Sequence, residues 1–152
     1  MLKYVDTKIV FQEIPDEITL AINISNCPCH CEGCHSSYLA EDIGEPLDLQ
    51  HLTNLIDNNR GITCVCIMGG DSNPLEVSNI AFYIKSIWDN LKVAWYSGRQ
   101  ELSNDINLKN FDFVKLGSYI KELGPLNSKT TNQRLYKVID TQLIDITKEF
   151  WK

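Results

Sequence analysis

Long apolar runs and clustered positive charges are both missing from this chain of 152 residues. No hydrophobic stretch approaches the ~20 residues that a membrane-spanning helix requires. Lysine and arginine together number 14, against 20 aspartate and glutamate residues, and the net charge is −6. Because a nucleic-acid backbone and an anionic lipid surface both bind basic faces, this composition argues against nucleic acid and membrane as main partners.

A secretory signal is also not expected, because charged side chains interrupt MLKYVDTKIVFQEIPDE where such a signal needs a continuous apolar region. We therefore expect a cytoplasmic protein. Six cysteines are too sparse for a disulfide scaffold in a chain of this length. In a reducing cytosol, clustered cysteines more often indicate metal or redox chemistry than structural disulfides.

The size and composition are those of one globular domain. A hydrophobic content of 43% and a charged content of 22% are ordinary values. A chain of 152 residues buries about two-thirds of its unfolded surface in a single core. Since neither repeats nor a linker are evident, residues 1–152 are predicted to form a single domain.

Strand and helix patterns alternate along the chain. Period-two alternation over Glu17 to Ser25 predicts a half-buried strand, and helical spacing predicts an amphipathic helix from Asp48 to about Asn59. The continuous apolar run from Ile62 to Met68 predicts a strand buried on both faces. A second helix is predicted after Pro74. Further strands are predicted over 91–96, 111–116 and 134–139, with a weaker helix over 100–109.

This alternation predicts an α/β fold with a mostly parallel sheet and right-handed crossovers. In such sheets ligands bind at the carboxyl ends of the strands. Four suggestive segments fall there: the cysteines after the first strand, Gly69-Gly70-Asp71 after the second, Ser97-Gly98 after the third and Gly117 after the fourth. We expect these segments to converge on one edge.

The stretch NCPCHCEGCH, Asn26 to His35, holds four of the six cysteines. Cys27, Cys31 and Cys34 form a C-x3-C-x2-C pattern, which puts three thiolates on a tight loop. Four-iron clusters normally take four cysteines, so three would leave one iron open to a substrate or cofactor. The alternative is a structural zinc site with Cys31 and Cys34 as one C-x2-C pair, although the chain has no second C-x2-C.

This cysteine pattern after a first strand, together with Gly-Gly-Asp after the second, resembles the radical S-adenosylmethionine (SAM) superfamily. CEGCH, GGDSNPLEV, WYSG and TTNQRLY are similar to segments of the activating enzymes of glycyl-radical proteins, in particular the anaerobic ribonucleoside-triphosphate reductase activating proteins. The likeness spans most of residues 17 to 138. Ser72 and Asn73 intervene before Pro74, Ser97 stands at a position where the family has threonine, and EIPDE replaces a glycine-rich segment.

The resemblance implies a partial (βα) barrel of the radical SAM type, with outer helices and too few units for a full barrel. It implies that Cys27, Cys31 and Cys34 bind a 4Fe–4S cluster whose open iron holds the amine and carboxylate of S-adenosyl-L-methionine. Reductive cleavage of SAM would give a 5′-deoxyadenosyl radical, and this oxidoreductase would then generate a glycyl radical on a large partner enzyme.

Anaerobic ribonucleotide reductase is the expected partner, and flavodoxin or ferredoxin the expected electron donor. Two other functions stay open. The chain is alternatively a radical SAM enzyme that acts on another peptide or a small substrate, or a non-catalytic zinc-binding interaction module.

The resemblance also implies roles for the glycines after the second strand. Gly69 and Gly70 would let the backbone approach the SAM amine, with Asp71 at the edge of that contact. The alternative is a tight turn in which Asp71 or Ser72 caps the helix that begins near Pro74.

Residues after the later strands have implied roles as well. Ser97 would hydrogen-bond the SAM carboxylate or ribose, Gly98 would allow the close approach, and Lys115 would pair with the SAM carboxylate. The alternatives are an ordinary strand-end turn and a solvated lysine. Asn132 and Gln133 belong to the family-like TTNQRLY segment, and their alternative role is to hold the tail in place.

The remaining cysteines have separate interpretations. Cys29 breaks the ligand spacing, and a fourth thiolate would close the open iron, so we interpret Cys29 as a bystander. Cys64 and Cys66 share one face of a buried strand and are predicted to be core residues. For His30 and His35 several roles stay open.

Overall fold

The computed structural model describes residues 2–25 and 42–151. The strands of this part are β1 (Lys3–Val10), β2 (Thr19–Ile24), β3 (Glu45–Pro46), β4 (Cys64–Met68), β5 (Lys92–Tyr96), β6 (Phe113–Leu116), β7 (Arg134–Ile139) and β8 (Gln142–Asp145). Its helices are α1 (Leu49–Asp57) and α2 (Pro74–Ile87), and short 3-10 helices span Leu108–Asn110 and Thr147–Trp151. The eight strands form one sheet in the order β3-β1-β2-β4-β5-β6-β7-β8.

The sheet is mixed rather than mostly parallel. β2, β4, β5 and β6 are parallel neighbours, whereas β1 and β3 on one side and β7 and β8 on the other pair antiparallel. The expected partial (βα) barrel with outer helices is therefore wrong: the described residues form one mixed sheet of eight strands with two helices.

Hairpin connections are the physical reason for this difference. β7 and β8 are joined by Asp140 and Thr141, whose φ angles of 51° and 62° form a two-residue turn that matches the twist of antiparallel strands. β1 likewise returns directly into β2 through a loop. Since these connections contain no helix, they cannot cross over to a parallel neighbour.

Most elements predicted from periodicity are confirmed as β2, β4, β5, β6, β7, α1 and α2. The weaker helix expected over 100–109 is wrong, because only the three-residue 3-10 helix Leu108–Asn110 forms there. β1, β3 and β8 are strands that the sequence pattern did not predict. In β1, charged side chains at Lys3, Asp6 and Lys8 obscure the apolar alternation.

One face of the sheet, the helix face, carries both helices. Its core consists of alternate strand residues and the apolar sides of the helices, including Ile22, Val65, Ile67, Val93, Trp95, Leu52, Val77 and Ile84. Burial of apolar area on this face supplies the main stabilisation, at about 25 cal/mol per Å². α1 is capped by Asp48, which accepts a hydrogen bond from His51 N at 2.8 Å.

The opposite face, the loop face, is covered by connections instead of helices. Ala21, Cys66 and Ala94 lie side by side in the register across three parallel strands, and their small side chains leave room above the sheet. Ile14, from the β1–β2 connection, is fully buried and belongs to what we call the loop-face cluster, whose other members are Cys64, Cys66, Ala94, Phe113 and Leu135. Leu126 and Phe150 cover the rest of the cluster.

Neither helix within residues 2–25 and 42–151 combines the length and the apolar character that crossing a membrane requires.

Candidate functional site

The carboxyl ends of β2, β4, β5 and β6 lie side by side and form what we call the strand-end edge. The segments immediately beyond these ends are Ser25, Gly69 to Asp71, Ser97 to Gly98, and Gly117. Parallel pairing of the strands therefore brings together three of the four segments that the sequence predicts to converge: Gly69 to Asp71, Ser97 to Gly98, and Gly117. The prediction is confirmed for these three, whereas the cysteine segment lies outside the described residues.

The candidate cluster ligands Cys27, Cys31 and Cys34 lie outside the described residues, as do Cys29, His30 and His35. The chain enters this segment directly after Ser25, which is buried at the end of β2 and donates its backbone N–H to Lys3 O at 3.0 Å. Because β2 pairs with β4, the chain leaves the sheet beside the strand that ends in Gly69-Gly70. Ser25, the last described residue before this segment, therefore lies at the strand-end edge.

Gly69 and Gly70 both adopt conformations that favour glycine, with φ angles of 109° and 93°. A Cβ on Gly70 would lie 2.5 Å from Val77 Cγ2, and a Cβ on Gly69 would lie 3.3 Å from Ile24 O. Gly69 O also accepts a hydrogen bond from Trp95 Nε1 at 2.6 Å. The backbone conformation and the packing of this turn therefore explain why both positions are glycine.

Asp71 joins the β4 and β5 ends. Its Oδ1 accepts a hydrogen bond from Ser97 Oγ at 2.5 Å, and its Oδ2 accepts one from Gly98 N at 2.8 Å. Asp71 is 7% exposed and Ser97 is 1% exposed. Hydrogen bonds to an ionised carboxylate are stronger than neutral ones, so this buried clamp fixes the spacing of the two loops.

Asp71 and Ser72 are not the cap of the following helix. Asn73 is the N-cap of α2, because its side chain accepts a hydrogen bond from Glu76 N at 3.3 Å, and Pro74 follows at the first helical position. The alternative in which Asp71 or Ser72 caps this helix is therefore wrong. The Asp71 carboxylate instead joins the turns after β4 and β5 through its hydrogen bonds to Ser97 and Gly98.

Lys115 is buried, with only 7% of its surface exposed, so the solvated-lysine alternative is wrong. Its ammonium donates a hydrogen bond to Gly117 O at 2.9 Å and lies 5.4 Å from the centre of the Tyr96 ring. Tyr96 donates its hydroxyl hydrogen to Glu13 O. Burial raises the pKa of Tyr96 well above its ordinary value, with smaller contributions from nearby acidic groups. A buried cation therefore lies at the end of β6 beside a neutral phenol.

A row at this edge that includes three polar side chains was missed by sequence reasoning. Register aligns Asn23, Met68, Tyr96 and Lys115 across β2, β4, β5 and β6. Asn23 Nδ2 donates to Asp6 Oδ1 at 2.6 Å, which extends the row to β1. The signal in the sequence was Asn23 itself, a lone amide in the apolar strand LAINI.

The family-like segment near the carboxyl terminus also reaches the strand-end edge. Gln133 Nε2 donates to Gly117 O at 3.5 Å, and Asn132 Nδ2 donates to Ser118 O at 3.1 Å. A Cβ on Gly117, whose φ is 108°, would lie 3.1 Å from Gln133 Cα. Asn132 Oδ1 is buried without a hydrogen-bond partner.

An open cleft of about 540 Å³ adjoins the Asp71 clamp. Its lining includes Asp71, Pro74, Trp95, Arg99, Glu101 and Asn104. This volume lies within the range of small-molecule sites in proteins, roughly 300–1,000 Å³. The cleft thus has room for a ligand of nucleoside size.

Cys64 and Cys66 are fully buried in the loop-face cluster, which confirms their interpretation as core residues. Burial raises the pKa of the Cys64 thiol from 9.0 to about 12. Burial also raises the pKa of the Cys66 thiol well above its ordinary value. Both thiols are therefore protonated near neutral pH and are poor metal ligands.

Within residues 2–25 and 42–151, no three His, Cys, Asp or Glu side chains come together as a metal site. The cysteine pattern of residues 27–34 lies outside this range and is untouched by that result. Comparison with protein-family models, curated proteins and solved structures found no match to this chain. Function must therefore be argued from the residues themselves.

The residues at the strand-end edge fit SAM as a ligand. SAM carries a carboxylate, an amine and an adenosine, and the buried cation of Lys115 suits a carboxylate. The cleft beside Asp71 offers space at the same edge, although its lining includes Trp95 of the helix face and not Lys115. Three thiols in a C-x3-C-x2-C pattern form a donor set of the type that binds iron–sulfur clusters.

Proposed function

We propose that this chain is a radical SAM enzyme of the cytoplasm that generates a glycyl radical on a large partner enzyme, anaerobic ribonucleotide reductase. One observation carries the proposal. In the sequence, the C-x3-C-x2-C pattern follows shortly after β2, whose carboxyl end lies beside the strand ends at Gly69-Gly70-Asp71 and Ser97-Gly98. A zinc module would need no such convergence of strand ends.

In the proposed site, Cys27, Cys31 and Cys34 hold a 4Fe–4S cluster. When bound, the cluster would pass one electron, delivered by flavodoxin or ferredoxin, to SAM, whose S–C5′ bond would break to give methionine and a 5′-deoxyadenosyl radical. The chain's own groups bind and orient SAM. Lys115 pairs with the SAM carboxylate through its buried ammonium, and the Gly69-Gly70 backbone faces the amine.

Asp71 acts indirectly in this proposal. Both of its carboxylate oxygens accept hydrogen bonds from the Ser97–Gly98 loop, so it sets the spacing of the two loops that flank SAM. Ser97 is committed to Asp71 through its hydroxyl hydrogen, and its Oγ also accepts a hydrogen bond from Arg99 N at 3.1 Å. Only a ribose hydroxyl of SAM, donating to the remaining lone pair of Ser97 Oγ, would add to these bonds, because a SAM carboxylate would need the hydrogen that Asp71 already accepts.

The test is anaerobic reconstitution with iron and sulfide, followed by assay of SAM cleavage. A brown protein with broad absorption near about 400 nm and release of 5′-deoxyadenosine from SAM plus a reductant is the expected result. Cys27→Ala, Cys31→Ala and Cys34→Ala should each abolish cleavage. Cys29→Ala is the matched control in the same segment and should largely retain it.

The outcomes separate the competing functions. A colourless protein that binds one zinc ion would overturn the radical SAM proposal and favour the zinc-binding interaction module. SAM cleavage without a glycyl-radical electron paramagnetic resonance signal on the reductase would favour another peptide or a small substrate. If Cys29→Ala is as damaging as the other three substitutions, the ligand assignment is wrong.

A further inference from the structure

Trp95 contacts the turn at the end of β4 from the helix face of the sheet. Its indole Nε1 donates a hydrogen bond to Gly69 O at 2.6 Å, and the residue is only 1% exposed within the core of that face. The Phe111 ring packs beside it, with the two ring centres 6.4 Å apart. Because close packing leaves the indole little freedom, its N–H fixes the direction of the Gly69 carbonyl.

The peptide bond between Gly69 and Gly70 passes this direction on to the next amide group. The described residues contain no cis peptide, so this bond is trans. In a trans peptide the C=O and the following N–H point in opposite directions. Since Gly69 O points toward Trp95, the Gly70 N–H points away from the helix face.

The Gly70 N–H donates to no residue in the part of the chain that the structure describes. The other backbone polar groups of the two glycines are engaged: Gly69 N donates to Tyr96 O at 3.0 Å, Gly69 O accepts from Trp95, and Gly70 O accepts from Asn73 N at 3.0 Å. Gly70 is also buried. Buried backbone N–H groups without a partner are rare and costly, so this donor indicates a ligand.

The Gly70 donor points to the side of the sheet on which the proposed site lies. Tyr96 packs against the loop-face cluster, and register places Lys115 beside it. Side chains alternate between the two faces of a strand, so Tyr96 and Lys115 lie on the face opposite Trp95. The free N–H and the buried ammonium therefore belong to the same face of the strand-end edge.

We infer that Trp95 is a positioning residue for SAM: it holds the Gly69–Gly70 peptide so that the Gly70 N–H donates to the SAM carboxylate. This inference rests on the proposed function. A carboxylate accepts several hydrogen bonds and donates none, so it suits an unpartnered N–H, whereas an amine needs an acceptor. The amine and the carboxylate of SAM are bonded to the same carbon, so a turn that faces one also lies beside the other.

Equilibrium binding of SAM and of decarboxylated SAM to the reconstituted protein tests this inference. Trp95→Phe keeps an aromatic ring and removes the N–H that orients the peptide. It should raise the dissociation constant of SAM about tenfold, roughly the effect of losing one hydrogen bond. The dissociation constant of decarboxylated SAM, which lacks the acceptor, should change little.

Phe111→Leu is the matched control, because it truncates the neighbouring ring of the same core and leaves the hydrogen bond to Gly69 in place. It should lower the melting temperature and leave both dissociation constants nearly unchanged. A purely structural role of Trp95 would instead weaken the binding of both ligands equally.

Hydrogen exchange resolved at single residues provides a second measurement that needs no variant. In the native reconstituted protein, SAM should slow the exchange of the Gly70 amide by at least about tenfold, and decarboxylated SAM should not. The amide of the exposed Gly61 is the control and should exchange at the same rate with and without either ligand.

The outcomes separate this inference from the proposed function. A native protein that does not bind SAM would overturn both. SAM binding without slowed exchange at Gly70, or an equal loss of both ligands in Trp95→Phe, would overturn the inference alone. Loss of SAM affinity only, together with slowed exchange at Gly70, supports it. If Trp95→Phe does not fold, the exchange of Gly70 in the native protein decides.

Discussion

Ser97 Oγ donates a hydrogen bond to Asp71 Oδ1 at 2.5 Å, which joins residues 26 positions apart in the sequence. Both residues are buried, and Gly98 N donates to the second carboxylate oxygen. The contact holds the turn after β4 against the turn after β5. In the proposed site it makes Asp71 a positioning residue that keeps two loops at a fixed separation.

Removing either partner of this clamp should lower the free energy of unfolding. Ser97→Ala is expected to cost about 1–3 kcal/mol, because it takes a donor from a buried carboxylate. Asp71→Asn should cost a similar amount, since an amide nitrogen cannot accept the Gly98 hydrogen bond. Urea unfolding of the single and double variants measures their coupling, expected at about 0.5–3 kcal/mol.

The exposed Ser72→Ala is the matched control for Ser97→Ala and should be nearly neutral. Additive effects of Ser97→Ala and Asp71→Asn would contradict the clamp, because independent sites show no coupling energy.

Gly70→Ala should destabilise the protein more than Gly61→Ala. Both glycines have a φ of 93°, so both substitutions strain the backbone by about 1–3 kcal/mol. Only at Gly70 does the new Cβ overlap another atom, Val77 Cγ2 at 2.5 Å, whereas nothing lies within 4 Å at Gly61. The overlap should add about 1–3 kcal/mol in urea unfolding.

The overlap at Gly70 is tested by shortening Val77. In the Gly70→Ala background, Val77→Ala should cost less than it does in the native chain, because it removes the overlapping methyl group. Equal costs in both backgrounds would show that the overlap is relieved by backbone movement.

Lys115→Met should weaken SAM binding to the reconstituted protein by about ten- to a hundredfold, the value of a hydrogen bond to a charged group. Lys92→Met is the control: Lys92 lies on the neighbouring strand and pairs with Glu17 at 3.0 Å, away from the strand-end edge. Equilibrium binding of SAM is the measurement. Unchanged affinity together with a lower melting temperature would assign Lys115 to the structure alone.

Stability should fall at alkaline pH because of the buried thiol of Cys64. Burial raises its pKa from 9.0 to about 12, so between these values the folded state keeps a proton that the unfolded state releases. The associated stability is fully present below about pH 9 and is lost as the pH rises toward about 12, at up to about 1.4 kcal/mol per pH unit.

Cys64→Ala should make this decline shallower, as measured by urea unfolding at several pH values above about 9. Part of the fall in stability should remain in this variant, because burial also raises the pKa values of Cys66 and Tyr96. An identical pH dependence in the native chain and in Cys64→Ala would contradict the assignment.

The elements that could be predicted from the sequence share one property, which is a local pattern. β4 is a continuous apolar run, and α2 has helical spacing, a leading proline and an asparagine cap. The antiparallel strands β1 and β8 could not be predicted, because charges interrupt the first and the second has four residues. Whether these segments form strands depends on their pairing with other segments of the chain.

The candidate site divides in the same way. The glycines and the polar residues after each strand are visible in the sequence, and their convergence follows from parallel pairing. Three features of the site are not visible there: the hydrogen bond between Asp71 and Ser97, the row from Asp6 to Lys115, and the choice of Asn73 rather than Ser72 as the helix cap. Each depends on which side chains face one another.

By itself, the sequence determined the spacing of Cys27, Cys31 and Cys34, the alternation of the central strands and helices, and the glycines that follow β4, β5 and β6. Only the tertiary structure decided that the sheet is mixed, that Lys115 is buried and that Asp71 acts between strands. The physical reason is the distance along the chain over which each effect acts. Backbone preference and apolar period act over a few residues, whereas strand direction, burial and hydrogen-bond partners depend on which distant segments meet.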